Sequence, residues 1–261
     1  MTKKALCIGI NDYPYLGNDL RGCLNDAHDW AKLLIDHYDF QAPDVKLVLD
    51  SEATKVNWIK ALKDLLAGAK QGDVLVFTNS SHGSYEVSTD MDEKYDELIC
   101  PFDIDSNSIL DDELRELLSG IPEGVRMSVI LDNCFSGSGT RVPGFMDLRP
   151  RFLPPSVRGK PELSNPFAAK PKSKDLFPQE GMKEILLSGC RDNEFSYDAN
   201  FGGSFHGAMT YNAMDVILKA KYKVTYEQLH RRINLRLTKG NINQHPQLEG
   251  KKTFKKSQIF V

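Results

Sequence analysis

Apolar residues fall along this chain in short unbroken runs, separated by stretches in which they recur every three or four positions. Runs that are apolar on successive residues suit strands covered on both faces, as parallel βαβ units require. Five such runs are predicted strands: Ala5 to Ile10, Val45 to Leu49, Val74 to Thr78, Val125 to Leu131 and Ile185 to Leu187. Gln258 to Val261 is a weaker sixth. Cys23, Ala27, Trp30, Ala31, Leu34 and Tyr38 form one helical stripe, and Trp58, Ile59, Leu62, Leu65, Leu66 and Ala69 form another. A short helix is predicted from Asp112 to Ser119, with Asp111 capping its start and Gly120 closing its end. Thr225 followed three residues later by Gln228 signals a capping box for a helix carrying Leu229, Ile233 and Leu237.

One stretch breaks the rhythm. Residues 141–180 hold 8 of the 13 prolines, and 8 Lys or Arg against 4 acidic residues. Proline fixes φ and removes a backbone donor, so the segment is predicted to be a long, exposed, basic insertion within a single domain spanning 1–261.

Composition narrows the function classes. With 261 residues and 41% hydrophobic positions, the chain can bury the core of one large α/β domain. The 33 basic and 36 acidic residues give a net charge of -3, so nucleic acid is not an expected partner. No apolar run approaches the roughly 20 residues of a membrane span, and Lys3 and Lys4 precede too short an apolar stretch for a signal peptide. A cytoplasmic protein is expected. Five cysteines, an odd number without a C-x-x-C pair, point to reduced thiols.

Chemistry concentrates after two strands. In open parallel sheets ligands bind at the carboxyl ends of strands. The third strand ends in Thr78-Asn79-Ser80-Ser81-His82-Gly83-Ser84 and the fourth in Leu131-Asp132-Asn133-Cys134. If those strands are neighbours, His82 and Cys134 meet about one strand spacing apart, roughly 5 Å. A thiol beside an imidazole can act as a nucleophile, and the N–H groups of Gly83 and Cys134 could hold a tetrahedral oxyanion. The plainer alternative is a buried structural thiol and a hydrogen-bonded loop histidine.

At these residues the sequence resembles a family. Ser80-x-His82-Gly83-Ser84 with Asp132-x-Cys134-x-Ser136-Gly137 is similar to the paired motifs of the metacaspases, the bacterial type without a prodomain. The likeness extends to Ala5-Leu-Cys-Ile-Gly-Ile-Asn11 with Leu20-Arg-Gly-Cys23-x-Asn-Asp26, and to Tyr95-Asp96-Glu97 with Ile109-x-Asp111-Asp112-Glu113. Ser188-Gly-Cys190-Arg-Asp192 and Gln244-x-Pro246-Gln247-Leu248 continue it. Ser81 stands where the family usually has Gly, and Phe135 where His is common.

The resemblance implies a caspase-like α/β fold, a mostly parallel sheet of about six strands with helices on both faces. It implies a cysteine endopeptidase in which Cys134 attacks and His82 transfers protons. Cys23, Asp26, Ser80 and Asp132 would line the pocket for the residue before the cut bond, and its carboxylates favour peptide or protein substrates with Arg or Lys there. Asp132 stands where aspartate-specific caspases carry Gln. Calcium-binding relatives use positions matching Asp96, Asp111 and Asp112 plus a fourth, here Arg141. Related enzymes often cut themselves in the linker matching 141–180.

Other readings have less to stand on. Gly17 to Gly22 imitates a phosphate loop, but Cys23 replaces its Lys. No H-E-x-x-H, G-x-S-x-G or G-x-G-x-x-G occurs. His28 and His37 fall on a helix, and His206, His230 and His245 lack a neighbouring nucleophile motif. The rival from another class is a catalytically silent caspase-like module that binds a partner through the same cleft.

Overall fold

Each apolar run needs cover on both faces, and the computed structural model supplies it around one central sheet. It describes residues 1–15, 17–88, 95–105, 107–134, 148–161, 181–191 and 193–261. The elements in order are β1 (Lys3–Gly9), α1 (Cys23–His37), β2 (Val45–Leu49), α2 (Lys55–Leu66), β3 (Val74–Ser80), β4 (Gly83–Val87), β5 (Tyr95–Ile99), β6 (Ile109–Leu110) and α3 (Asp111–Ser119). There follow β7 (Arg126–Asp132), β8 (Leu148–Pro150), β9 (Glu184–Ser188), β10 (Tyr197–Phe201), β11 (Ser204–Gly207), α4 (Ala208–Lys219), α5 (Tyr226–Lys239), β12 (Gln247–Glu249) and α6 (Lys252–Lys255).

The main sheet runs β12-β9-β7-β3-β1-β2. All its pairs are parallel except β12 with β9. One apolar layer contains Trp30 and Leu34 of α1, Met209 and Ala213 of α4, and Leu229, Ile233 and Leu237 of α5. The opposite layer contains Trp58, Leu62 and Leu65 of α2 with Leu114 and Leu118 of α3. Burial of such stripes from water is what fixes the helices to the sheet. Thr225 and Gln228 form the expected capping box on α5.

Four expectations need correction. Gln258 to Val261 is not a strand: Phe260 has φ +57°, which ends extended geometry, and β12 takes the sheet edge beside β9. Ile259 and Phe260 serve as core residues instead. Asp111 does not cap α3. Leu110 occupies that position, while Asp111 and Asp112 lie in the first turn and bond to Arg115.

Two small antiparallel sheets, β4-β5-β6 and β11-β10-β8, and the helix α4 lie outside the predicted elements. Lastly, residues 148–155 are buried or half-buried rather than exposed, whereas Ser156 and 159–161 are exposed. β8 pairs with β10, and Arg151 and Leu153 are fully buried. Pro150, at the end of an edge strand, forgoes no needed donor. Residues 141–147 and 162–180 lie outside the described residues.

Candidate active site

The register of β3 and β7 sets the geometry. Ser80 lies opposite Asp132, so His82 and Cys134 each stand two residues beyond a matched pair at the carboxyl edge. His82 is tied on several sides. Its backbone N–H donates to the Tyr13 hydroxyl at 3.0 Å, its carbonyl accepts from the Cys100 N–H at 3.0 Å, and its ring lies 4.8 Å from that of Tyr13. Nε2 lies 2.7 Å from the Asn18 carbonyl. A carbonyl can only accept, so Nε2 carries the proton and Nδ1 keeps its lone pair. Nδ1 is buried with no partner among the described residues. Asn18 acts through its backbone oxygen, which no side-chain pattern in the sequence could reveal.

A segment of the chain itself crosses these residues. β8 pairs antiparallel with β10, and the next residue, Arg151, donates its N–H to the Ser196 carbonyl at 2.9 Å. Its own carbonyl accepts from Gly83 N–H at 3.0 Å and from Cys134 N–H at 3.3 Å. These are the two donors expected to hold an oxyanion. The Cys134 thiol points to the Ser196 carbonyl at 3.7 Å. Beyond Arg151, the Leu153 N–H donates to the Gly83 carbonyl at 2.9 Å. Upstream, the Arg149 guanidinium donates to the carbonyls of Asp19 and Gly17.

The Arg151 side chain fills an acidic pocket. One guanidinium nitrogen donates to Asp26 at 2.7 Å and to Asp198 at 3.0 Å. The other donates to the Asp132 carbonyl at 2.9 Å and lies 3.6 Å from its carboxylate. Each carboxylate is also held by the fold. Asp26 accepts from the Ser80 hydroxyl and the Gly207 N–H, Asp132 from Ser196 and Thr210, and Asp198 from the N–H groups of Arg21 and Gly22.

The buried Cys23 thiol adjoins the same charges, and its pKa is pushed up by burial and by the three carboxylates against the pull of Arg151. At Gly207 a Cβ would come within 2.2 Å of an Asp132 oxygen, so only glycine fits there. The expected set of Cys23, Asp26, Ser80 and Asp132 thus comes together. Asp198 joins them without a spacing cue, being an aspartate in a strand, and Arg151, expected only among the basic residues of 141–180 open to self-cleavage, fills the pocket. His206, set aside in the sequence, stands behind Asp26 at 3.5 Å. Burial opposes its charge, yet Asp26 and Asp29 raise its pKa.

Burial governs the resting charges of the other groups. It pushes the Cys134 thiol well up, although the bond to Ser196 and the charge of Arg151 act against it. It pulls the His82 imidazole down to about 4, partly offset by Asn18. Thiol and imidazole are therefore both neutral at pH 7. The unfolded chain takes up the His82 proton near 6.5, so between pH 6.5 and 4 it holds more protons than the fold. Stability then falls with falling pH, by up to about 1.4 kcal/mol per unit from this group. Urea midpoints at pH 7 and pH 5 are expected to differ more for the wild type than for His82→Asn, and equal differences would refute a neutral buried imidazole.

The acids matching a calcium site, Asp96, Asp111 and Asp112, have other neighbours among the described residues. Asp96 lies opposite Glu86 on β4 and β5, while Arg115 bonds to both Asp111 and Asp112. Among the described residues no group of three or more His, Cys, Asp or Glu could hold a metal ion; Arg141 lies outside them. All five cysteines are free and buried. Among the described residues no helix is long and apolar enough to cross a membrane.

Known proteins share this layout. A protein of Geobacter sulfurreducens with a solved crystal structure superposes with a TM-score of 0.75 and 26% identity, over 100% of this chain and 99% of that one. Caspase-1 from Spodoptera frugiperda gives a TM-score of 0.59 at 12% identity, over 95% and 88%. The fold is therefore caspase-like. Metacaspase-1 of Cryptococcus neoformans is 29% identical over 99% of this chain and 64% of its own length. The chain spans 61 to 65% of the length of its first fungal relatives. The metacaspase peptidase C14 domain matches residues 3–143, a stretch that carries both His82 and Cys134 at their strand ends, and the chain belongs to that family.

Proposed function

We propose that this chain is a cysteine endopeptidase cutting after Arg or Lys, with Cys134 as nucleophile and His82 as acid and base, and that it cuts its own Arg151–Phe152 bond. Arg151 is the observation that carries this reading. Its guanidinium lies among three carboxylates while its carbonyl accepts from the Gly83 and Cys134 N–H groups. A main-chain carbonyl held by two converging donors beside a cysteine is poised for acyl transfer. Self-cleavage in the region 141–180, implied by the family resemblance, acquires a specific bond.

The steps follow from the atoms present. Cys134 Sγ attacks the Arg151 carbonyl carbon as its proton passes to His82 Nδ1, and the carbonyl oxygen becomes an oxyanion bound by Gly83 and Cys134. The Arg151–Phe152 bond breaks, and His82 returns the proton to the Phe152 amine. Water then attacks the thioester, yielding the Arg151 carboxylate and the free thiol. Asn18 holds the ring in the tautomer that lets Nδ1 serve both steps.

A filled cleft also suits the rival reading, a silent module that binds a partner there. Fluorogenic peptides varying the residue before the bond test the choice, together with labelling of Cys134 by a small thiol electrophile. Cleavage after Arg and Lys is expected, with labelling weakened by His82→Ala, and with equal rates in calcium and in chelator because Arg115 pairs with Asp111 and Asp112. Efficient cleavage after Asp would sink the acidic-pocket reading. Neither cleavage nor labelling would favour the silent module.

A further inference from the structure

The chain beyond Arg151 is held as closely as the chain before it. Phe152 stacks on Tyr85, with ring centroids 6.0 Å apart and planes inclined by 21°, and on its other side lies 6.2 Å from Phe195. Both distances fall where aromatic rings attract. Tyr85 and Phe195 are themselves buried, whereas Phe152 between them is only partly covered. The next residue, Leu153, is fully buried, and its carbonyl accepts from the Ser84 hydroxyl at 2.6 Å.

The two rings adjoin residues that hold the Arg151 main chain, Gly83 at its carbonyl and Ser196 at its N–H. Tyr85 follows Gly83 by two positions on β4, the strand whose first N–H donates to the Arg151 carbonyl. Phe195 directly precedes Ser196, whose carbonyl accepts the Arg151 N–H. An aromatic side chain seated between them is thereby coupled to the placement of the bond to be cut.

We propose that Tyr85 and Phe195 form a recognition site for an aromatic residue directly after the cut bond, followed by a buried site for an aliphatic one. The selected sequence then reads arginine, cut, aromatic, aliphatic. This rests on the reading of 148–153 as lying in the cleft as a substrate does. It goes beyond that reading by assigning specificity on the leaving side, which the acidic pocket does not reach.

The test uses the full chain carrying Arg151→Gln, which withdraws the internal guanidinium from the pocket and removes the self-cut arginine. Quenched fluorescent peptides Leu-Arg-Pro-Arg-X-Leu are offered in trans, with X as Phe, Tyr, Ala or Asp. Phe and Tyr peptides are expected to show kcat/KM about tenfold above Ala, with Asp lowest. Tyr85→Ala and Phe195→Ala, each added separately, should bring the Phe to Ala ratio close to one.

A second readout stays within the chain. In otherwise unmodified protein, Phe152→Asp should slow the appearance of the new terminus after Arg151 by about tenfold or more, and Phe152→Tyr should not. Cleavage after Arg at one rate whatever X is, with self-cleavage indifferent to residue 152, would overturn the aromatic site and leave the endopeptidase standing. Failure to cut after Arg both in trans and in the chain would overturn both.

Discussion

Cys134→Ala is expected to leave the full-length chain intact at Arg151–Phe152 and to lower peptide cleavage by about 10⁴-fold or more, as loss of a covalent nucleophile does elsewhere. Acidity alone does not single out this residue. Burial pushes the thiols of Cys7 and Cys100 up to about 12, and it pushes Cys134 up as well. The distinction is geometric: the Cys134 N–H donates to the Arg151 carbonyl, and its thiol points to the Ser196 carbonyl that holds the Arg151 N–H. Folding should survive the change. Cys134 is wholly buried, and deleting one sulfur from such a site costs about 1 kcal/mol. Incubating wild type and Cys134→Ala side by side, and locating new termini by mass spectrometry, reads the result. Termini after Arg151 in both samples would indicate a contaminating protease, and activity retained in Cys134→Ala but lost in Cys23→Ala would reassign the nucleophile.

What the sequence disclosed follows from how each feature is encoded. Central parallel strands are buried on both faces, so β1, β3 and β7 appear as continuous apolar runs whose polar ends mark the catalytic edge. His82 and Cys134 are legible because each follows its strand at the same offset. Short edge elements are not encoded this way. β8, β10 and β11 mix polar and apolar residues, and they form because a cleft segment pairs with β10 and three carboxylates gather around Arg151.

That arginine looked exposed for a sound reason, since an arginine is almost never fully buried unless paired. Its partners come from α1, β7 and β10, residues 26, 132 and 198, and no local window contains them. The C-terminal run 258–261 shows the converse. It is apolar enough for a strand, yet the sheet edge is already occupied and Phe260 turns into left-handed geometry.

Asp198 gives the sharpest test of the pocket, because nothing in the sequence marked it. Asp198→Asn is expected to lower kcat/KM for arginine peptides by about 30-fold or more, the range of 2 to 5 kcal/mol for removing one partner of a buried charge pair. Asp132→Ala should cost at least as much. Asp132 accepts from Thr210 twice and from Ser196, and its backbone carbonyl also receives the guanidinium.

Lysine peptides should suffer less from Asp198→Asn. The guanidinium spreads two nitrogens across the pocket, one serving Asp26 and Asp198 together and the other serving Asp132. A single ammonium has no such fork and loses less when one carboxylate is neutralised. The ratio of arginine to lysine cleavage is therefore expected to fall in Asp198→Asn. Labelling of Cys134 by a small electrophile serves as the check on folding in the same samples. A labelled, folded Asp198→Asn protein with unchanged kcat/KM for arginine would remove Asp198 from the recognition site and leave Asp26 and Asp132 to bind the cation alone.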